Sequence, residues 1–301
     1  MHPVVRIVRP AGRGGESLLT DNCTMLEDSG IRILPEQPMV RDHWPYTASS
    51  PQSRLESLNQ ALTETGSEVI LCARGGYGAS DLLPFLPWEQ LKATPHKWIV
   101  GFSDITALQW ALYSILGWPS VHGPMPASSL WGKGGERRDT DQLIRVLKDK
   151  HKQGSVKIRP LNFPAKEKGA SGILLGGCLS VICSLSGTSY FPRFEDKHLI
   201  FLEDTGENPG RLMRHWNQLL QNGCLETASG VIIGRLIEHG SDLSEHAIRR
   251  EMAGRTDIPC WESGDFGHVS PNFPLVNGSR GNIKKRGEAL YWSFKEISEN
   301  T

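Results

Sequence analysis

Short apolar runs recur along the first 123 residues, each separated from the next by a stretch of helical spacing or a polar turn. Val4–Val8 reads as a strand ending at Pro10, Ser17–Ser29 as a helix stopped before Gly30, and Ile31–Leu34 as a short strand. Ser53–Thr63 has helical spacing and Glu68–Ala73 is a strand, while Asp81–Leu86 opens a helix that Pro84 and Pro87 limit. Trp98–Val100 is then a strand, Asp104–Leu116 a helix and Val121–Gly123 a further strand. Alternation at this spacing predicts a parallel sheet covered on both faces by helices. Ligands in such sheets bind at the carboxyl ends of the strands.

Residues 131–170 break the pattern, with Gly132–Arg138 rich in glycine and charge, a polar helix over Asp141–His151, and prolines and charges from Pro160 to Gly169. This composition reads as a link between domains. A new set begins at Gly172: apolar Gly176–Leu185, a strand at Leu199–Glu203, an amphipathic helix over Arg211–Asn222 and a strand at Val231–Gly234. A helix over Glu245–Met252, a short strand at Pro259–Glu262 and a last strand at Leu290–Phe294 complete it. The expected division is an N-terminal α/β domain over 1–130, a linker over 131–170 and a second, C-terminal α/β domain over 171–301.

Composition narrows the function. The chain has 301 residues, 38% hydrophobic and 22% charged, with a formal net charge of zero. That balance asks for neither nucleic acid nor an anionic membrane as partner, and no apolar run is long enough for a membrane span. The N-terminus carries arginines inside a short apolar stretch, which does not suit a signal peptide. The six cysteines are scattered without a C-x-x-C pair, so reduced, mostly buried thiols in a cytoplasmic protein are expected and no zinc site is indicated. Gly76 and Gly78 lack the third glycine of a dinucleotide fingerprint, with Asp81 in its place.

Two segments hold candidate chemistry. Arg74-Gly75-Gly76-Tyr77-Gly78 follows one strand, and Gly101-Phe102-Ser103-Asp104 follows another. A serine on a sharp strand-to-helix turn is presented for nucleophilic attack, and the helix N-terminus stabilises developing negative charge. Glycines bring bare backbone N–H groups close to a ligand. A nucleophilic serine needs a base, and the base an orienting carboxylate. His268 lies in a glycine-rich loop that displays it, and Glu203 stands at a strand's carboxyl end, at a site edge rather than in the core. Each residue has a plainer reading: Ser103 as a helix N-cap, His268 as a loop histidine, Glu203-Asp204 as a solvated acidic turn. With ten histidines in the chain, residue types alone leave both readings open.

The ordered set of motifs resembles the LD-carboxypeptidases, serine peptidases that trim the murein tetrapeptide. The resemblance rests on Arg74-Gly75-Gly76-Tyr77-Gly78, Gly101-x-Ser103-Asp104-Ile105-Thr106-Ala107, Gly123-Pro124-Met125, Gly176-Gly177-x-Leu179 and Leu185-x-Gly187-Thr188. It continues through Leu202-Glu203-Asp204, Glu207-x-Pro209, Arg211, Arg214, Gln218-Leu219 and Phe266-Gly267-His268. The resemblance implies Ser103 as nucleophile, His268 as general base and Glu203 as its orienting acid. It implies a flavodoxin-like or glutamine-amidotransferase-like N-terminal α/β domain, a C-terminal α/β domain with a swivelling sheet, a homodimer, and no metal or cofactor. On this basis the backbone amides of Gly76 and Asp104 are the expected oxyanion hole, and Arg74 and Tyr77 the candidate substrate contacts, with a structural ion pair as the alternative for Arg74. Arg211 and Arg214 are expected to tie their helix to Glu207 or to the other domain, and Trp131 and Trp261 to line a groove or fill the core. Arg9, Cys178 and Val276 depart from the family pattern without removing a triad residue. A related branch that inactivates microcin C-type peptidyl-nucleotides is the alternative activity, and a binding protein without catalysis on the same fold is the alternative outside peptidases.

Overall fold

A computed structural model describes residues 3–34, 36, 44–129, 131–132, 137–149, 151–238 and 240–294. The chain ends at Met1 and Thr301, the boundary residue Leu130 and the segment 133–136 of the expected linker lie outside these residues. Two sheets carry the fold. The first contains β1 (Val4–Val8), β2 (Arg32–Leu34), β3 (Val69–Cys72), β4 (Trp98–Gly101) and β5 (Ser120–His122), all parallel, in the order β5-β4-β3-β1-β2. This is the flavodoxin-like strand order, whose direction reverses between β1 and β3. Every residue of β3 and β4 is buried, which is why both read in the sequence as unbroken apolar runs. Helices Glu16–Asp28, Pro51–Thr63 and Thr106–Leu116 connect the strands.

The second sheet has eight strands. β6 (Gln153–Lys157), β7 (Arg159–Pro160), β8 (Ala170–Cys178), β9 (His198–Thr205), β10 (Ala228–Ile237) and β11 (Cys260–Glu262) are joined by β13 (Arg280–Ile283) and β14 (Ala289–Ser293) in the order β6-β14-β13-β8-β9-β10-β11-β7. The four strands β8 to β11 run parallel and the outer ones antiparallel. One strand crosses over: β12 (Leu275–Asn277) pairs antiparallel with β5 and completes the first sheet.

The expected linker is more structured than its composition suggests. Its strands β6 and β7 form the two edges of the second sheet. Its helix, Arg137–Lys148, buries Leu143, Val146 and Leu147 in a cluster that also holds Val5, Leu26 and Phe201. A second cluster joins Phe102 and Trp110 to Leu175, Leu202 and Trp216. Both clusters span both sheets, so the two halves share a packed interior. Arg9, which breaks the family pattern, is buried and chelated by Glu16 at 2.6 Å and Glu36 at 2.7 Å. It fastens the end of β1 to the following helix.

Candidate active site

Strand β4 ends at Gly101, and the chain turns sharply at Ser103, whose φ is 62°. A serine held in the left-handed region costs about 1–3 kcal/mol and persists only where its surroundings fix it. A short 3₁₀ turn, Ser103–Ile105, then runs into helix Thr106–Leu116. Ser103 is not the N-cap of either element, and neither has a side-chain cap bond, so the capping reading does not hold. The turn is tight: a Cβ on Gly101 would lie 3.0 Å from Ile105 side-chain carbons.

The glycine-rich turn after β3 packs directly on this serine. A Cβ on Gly75 would lie 2.9 Å from Ser103 Oγ and 3.3 Å from the Asp104 amide nitrogen. Gly76 and Gly78 have φ of 106° and 122°, conformations that glycine adopts at low cost. Two side chains hold the turn. The Asp104 carboxylate accepts from the Ala79 amide at 2.8 Å, and burial pushes its pKa up to about 6. The guanidinium of Arg54, 1% exposed, donates to the carbonyls of Pro10 and Gly78 at 2.6 Å each, to Ser49 O at 3.1 Å and to Asp81 at 3.2 Å. Arg54 thereby ties the ends of β1 and β3 together where the strand order reverses. The residue sits within the otherwise ordinary helix Pro51–Thr63, and only its place among the apolar positions Leu55, Leu58 and Leu62 hints at burial.

Glu203 and His268 come from the second sheet. His268 Nδ1 lies 2.6 Å from Glu203 Oε2. His268 lies on the expected loop, but it is not displayed as its glycine-rich setting suggests, and Glu203 stands inside a strand and in the core rather than at a site edge. Strand β9 runs on to Thr205, Glu203 is fully buried, and the His268 side chain is 13% exposed. Packing of the two sheets against one another covers both. Burial works to raise the Glu203 carboxyl, yet the charge and hydrogen bond of His268, with a smaller contribution from His122, hold it below the usual carboxylate range. Burial likewise works to lower His268, but the charge and hydrogen bond of Glu203, with Asp204 and Glu238 beyond it, leave it above its ordinary value.

The His268 loop is held from the segment taken for a linker. Asp139 accepts from Ser270 Oγ at 2.6 Å and from the Asn272 amide at 3.2 Å, while Asn272 Oδ1 accepts from the Gly267 amide at 3.2 Å. The halves also meet at the glycine pair of β8. The Cys178 amide donates to Thr106 Oγ1 at 3.1 Å, Trp110 Nε1 donates to Gly176 O at 3.0 Å, and Cys178 pairs in register with Glu203. The Phe102 ring, one residue before Ser103, stands 4.8 Å from the His268 ring. Cys178, one of the departures from the family pattern, is buried and directs Sγ at Asp204 at 3.4 Å. Desolvation holds its thiol well above the usual range.

Arg74 is exposed on the rim of the turn with no ion-pair partner among the described residues. Tyr77 is 47% exposed and its hydroxyl donates to Asp81 at 3.0 Å. Trp131 and Trp261 are buried core residues. Arg211 pairs with Glu207 at 3.4 Å on an exposed face. A groove of about 980 Å³ lies elsewhere, on the open face of β6, β14, β13 and β8, with Arg145, Lys197 and Arg280 on its walls. Among the described residues no group of three or more histidine, cysteine or acidic side chains is placed to hold a metal ion.

Residues 5–123 match the LD-carboxypeptidase N-terminal domain and residues 171–283 the LD-carboxypeptidase C-terminal domain. A chain from Rickettsia conorii named as a carboxypeptidase is 31% identical over 288 residues, 94% of this chain and 89% of its own length. The murein tetrapeptide carboxypeptidase of Pseudomonas aeruginosa is 26% identical over 294 residues, 96% of this chain and 94% of that one. Among solved structures, the muramoyltetrapeptide carboxypeptidase from Oxalobacter formigenes is similar with a TM-score of 0.83 at 21% identity, covering 97% of this chain and 99% of its own. The microcin C7 self immunity protein MccF in complex with aspartyl sulfamoyl adenosine is similar with a TM-score of 0.81 at 18% identity, covering 99% and 98%. With both domain patterns matched in order and nearly the whole chain aligned to its relatives, the protein belongs to the LD-carboxypeptidase family and is a serine-type carboxypeptidase.

Proposed function

We propose that this enzyme hydrolyses the bond to the terminal D-alanine of murein tetrapeptides, with Ser103, His268 and Glu203 as its catalytic triad. The observation that carries the reading is the 2.6 Å His268–Glu203 bond together with a serine held at φ 62° on a strand-to-helix turn, whose neighbour Phe102 stands 4.8 Å from the His268 ring. His268 Nε2 takes the Ser103 proton as Oγ attacks the scissile carbonyl. The amides of Gly76 and Asp104 receive the oxyanion, and such a donor is worth about 3–4 kcal/mol. The C–N bond breaks, His268 returns the proton to the leaving D-alanine amine, and the acyl group stays on Ser103. Water then gives a proton to His268 and attacks the ester, and His268 passes that proton to Ser103 Oγ as the ester C–O bond breaks, freeing the tripeptide acid and restoring Ser103. Glu203 holds the Nδ1–H tautomer and faces the imidazolium that forms at each step. Arg74 is the candidate partner for the terminal carboxylate of the substrate, since guanidinium and carboxylate pair through two hydrogen bonds.

The reading includes a homodimer and action inside the cell on recovered murein peptides. All six cysteines are free thiols, five of them buried, which supports a reducing setting. A second reading, cleavage of peptidyl-nucleotides, draws on a specific feature. Trp44 and Tyr46 are 48% and 65% exposed, with ring centroids 5.2 Å apart, and the Tyr46 carbonyl lies beside Gly12 at the rim of the glycine-rich turn. Exposed aromatic faces stack on nucleobases. Parallel incubation with murein tetrapeptide and an aspartyl sulfamoyl adenosine, followed by mass spectrometry, separates the two. Preferential D-alanine release supports the murein reading; preferential cleavage of the nucleoside conjugate overturns it.

A further inference from the structure

His122 stands at a junction that the triad chemistry leaves unused. It is the last residue of β5, in register with Gly101 of β4 and Leu275 of β12, and is fully buried. Its ring is surrounded by the aromatic neighbours of all three triad residues. The Phe102 centroid, one residue before Ser103, is 5.9 Å away; Phe201, two before Glu203, is at 5.2 Å; Phe266, two before His268, is at 6.5 Å. Residues two apart on a strand share a face, so Phe201 directs His122 to the same side of β9 as Glu203. Phe102 lies between the two histidines, touching the His268 ring as well.

Inside this aromatic enclosure both ring nitrogens of His122, and Oε1 of Glu203, have no hydrogen-bond partner among the described residues. A buried polar atom left unpaired costs about 1–3 kcal/mol, and three such atoms from two neighbouring side chains is a costly arrangement for packing alone. A plain core position here would be filled better by phenylalanine or leucine. One ring nitrogen of His122 together with Glu203 Oε1 supplies the two polar partners that one enclosed water requires at the least.

We propose that His122 is a positioning residue that acts on the free oxygen of Glu203, donating its ring N–H to Oε1 through one enclosed water and thereby fixing Oε2 on His268. This deepens the triad reading above and rests on it. Held neutral, His122 can donate without adding a charge beside Glu203 and His268, the titratable groups it faces. Burial is the main cause that keeps it so, pushing its pKa down to about 4. A donor on Oε1 would draw electron density from Glu203 and moderate its stabilisation of the His268 imidazolium. His268 would then release its Nε2 proton more readily in the second half of the reaction.

The test combines turnover of murein tetrapeptide with NMR titration of isotopically labelled histidines in the wild type, His122→Phe and His122→Asn. Removing the donor should leave Glu203 more basic, so His122→Phe should raise the His268 midpoint by about half a pH unit or more and lower kcat about tenfold with KM nearly unchanged. Asparagine keeps an N–H and should recover most of both effects. A folded His122→Phe protein with an unaltered His268 midpoint, or an asparagine variant no better than phenylalanine, overturns the proposal. If His122→Phe does not fold, the wild type decides: the His122 ring N–H proton should be protected from exchange and shift on Glu203→Gln, and an unprotected or unresponsive proton overturns it. Because the titration is read without substrate, a wrong substrate assignment would leave these NMR outcomes intact.

Discussion

Gly75 and Ser103 are in contact through an absence of side chain: a Cβ at position 75 would lie 2.7 Å from Ser103 Cβ and 2.9 Å from its Oγ. Backbone from β3 approaches the nucleophile turn of β4 so closely that only glycine fits between them. Gly75→Ala must push Ser103 or the glycine-rich turn aside, and a displacement of this size at a reacting centre costs about 10²-fold in rate. Stability should fall by about 1–3 kcal/mol. Denaturant unfolding and steady-state kinetics on the same preparation check both; a rate within threefold of wild type would separate this contact from catalysis.

The buried guanidinium of Arg54 satisfies three carbonyls from separate segments. Arg54→Leu leaves those carbonyls buried without donors, and breaking such a buried charged hub costs about 3–5 kcal/mol. The expected result is a marked drop in denaturation midpoint together with loss of turnover, because the glycine-rich turn is no longer held against β1. Arg54→Lys should do nearly as much harm, since an ammonium cannot reproduce the forked geometry. A lysine variant of wild-type stability would contradict this role.

A general base must be unprotonated to act, and His268 lies above its ordinary value of 6.5 because Glu203, aided by Asp204 and Glu238, outweighs the effect of burial. The rate constant kcat/KM should therefore rise with pH through a midpoint above that value. Glu203→Gln removes the main cause of the upward shift and leaves burial, which lowers the pKa. The acidic limb should move to lower pH even as kcat falls by about 10³–10⁴ through loss of the correct tautomer. A pH–rate profile of both proteins decides it, and a limb that moves upward in Glu203→Gln would contradict the sign.

Asp139 should matter to rate more than its distance along the chain suggests. Its carboxylate fixes Ser270 and Asn272, and Asn272 fixes the amide next to His268. Asp139→Ala should cost about 1–3 kcal/mol of stability by stranding buried donors and lower kcat with little change in KM. Kinetics at a temperature well below the unfolding midpoint would check this; an unchanged kcat would make the contact purely structural.

Much of the first sheet was legible because strands buried on both faces leave unbroken apolar runs, as in Val69–Cys72 and Trp98–Gly101. The strand at Leu290–Phe294 was legible too, but the two edge strands of the second sheet and the strand that crosses back to the first were not. Gln153–Lys157 exposes most of its residues, Arg159–Pro160 is two residues long, and Leu275–Asn277 joins β5, which ends more than 150 residues earlier. Their pairing is decided by tertiary contacts that no local pattern records. The same limit applies around the site. Ser103 and the glycine turn announce themselves through local geometry, whereas the burial of Glu203 and the roles of Arg54 and Asp139 depend on which elements close over them.

Incubation of the purified enzyme with murein tetrapeptide ending in D-alanine and with its L-alanine epimer, alongside Ser103→Ala, tests the proposed reaction and its nucleophile most directly. The expected result is D-alanine and tripeptide in equal amounts from the first, negligible release from the epimer, and a rate about 10⁴–10⁶-fold lower in the variant. Release that persists in a folded Ser103→Ala protein would contradict the assignment of Ser103 as nucleophile.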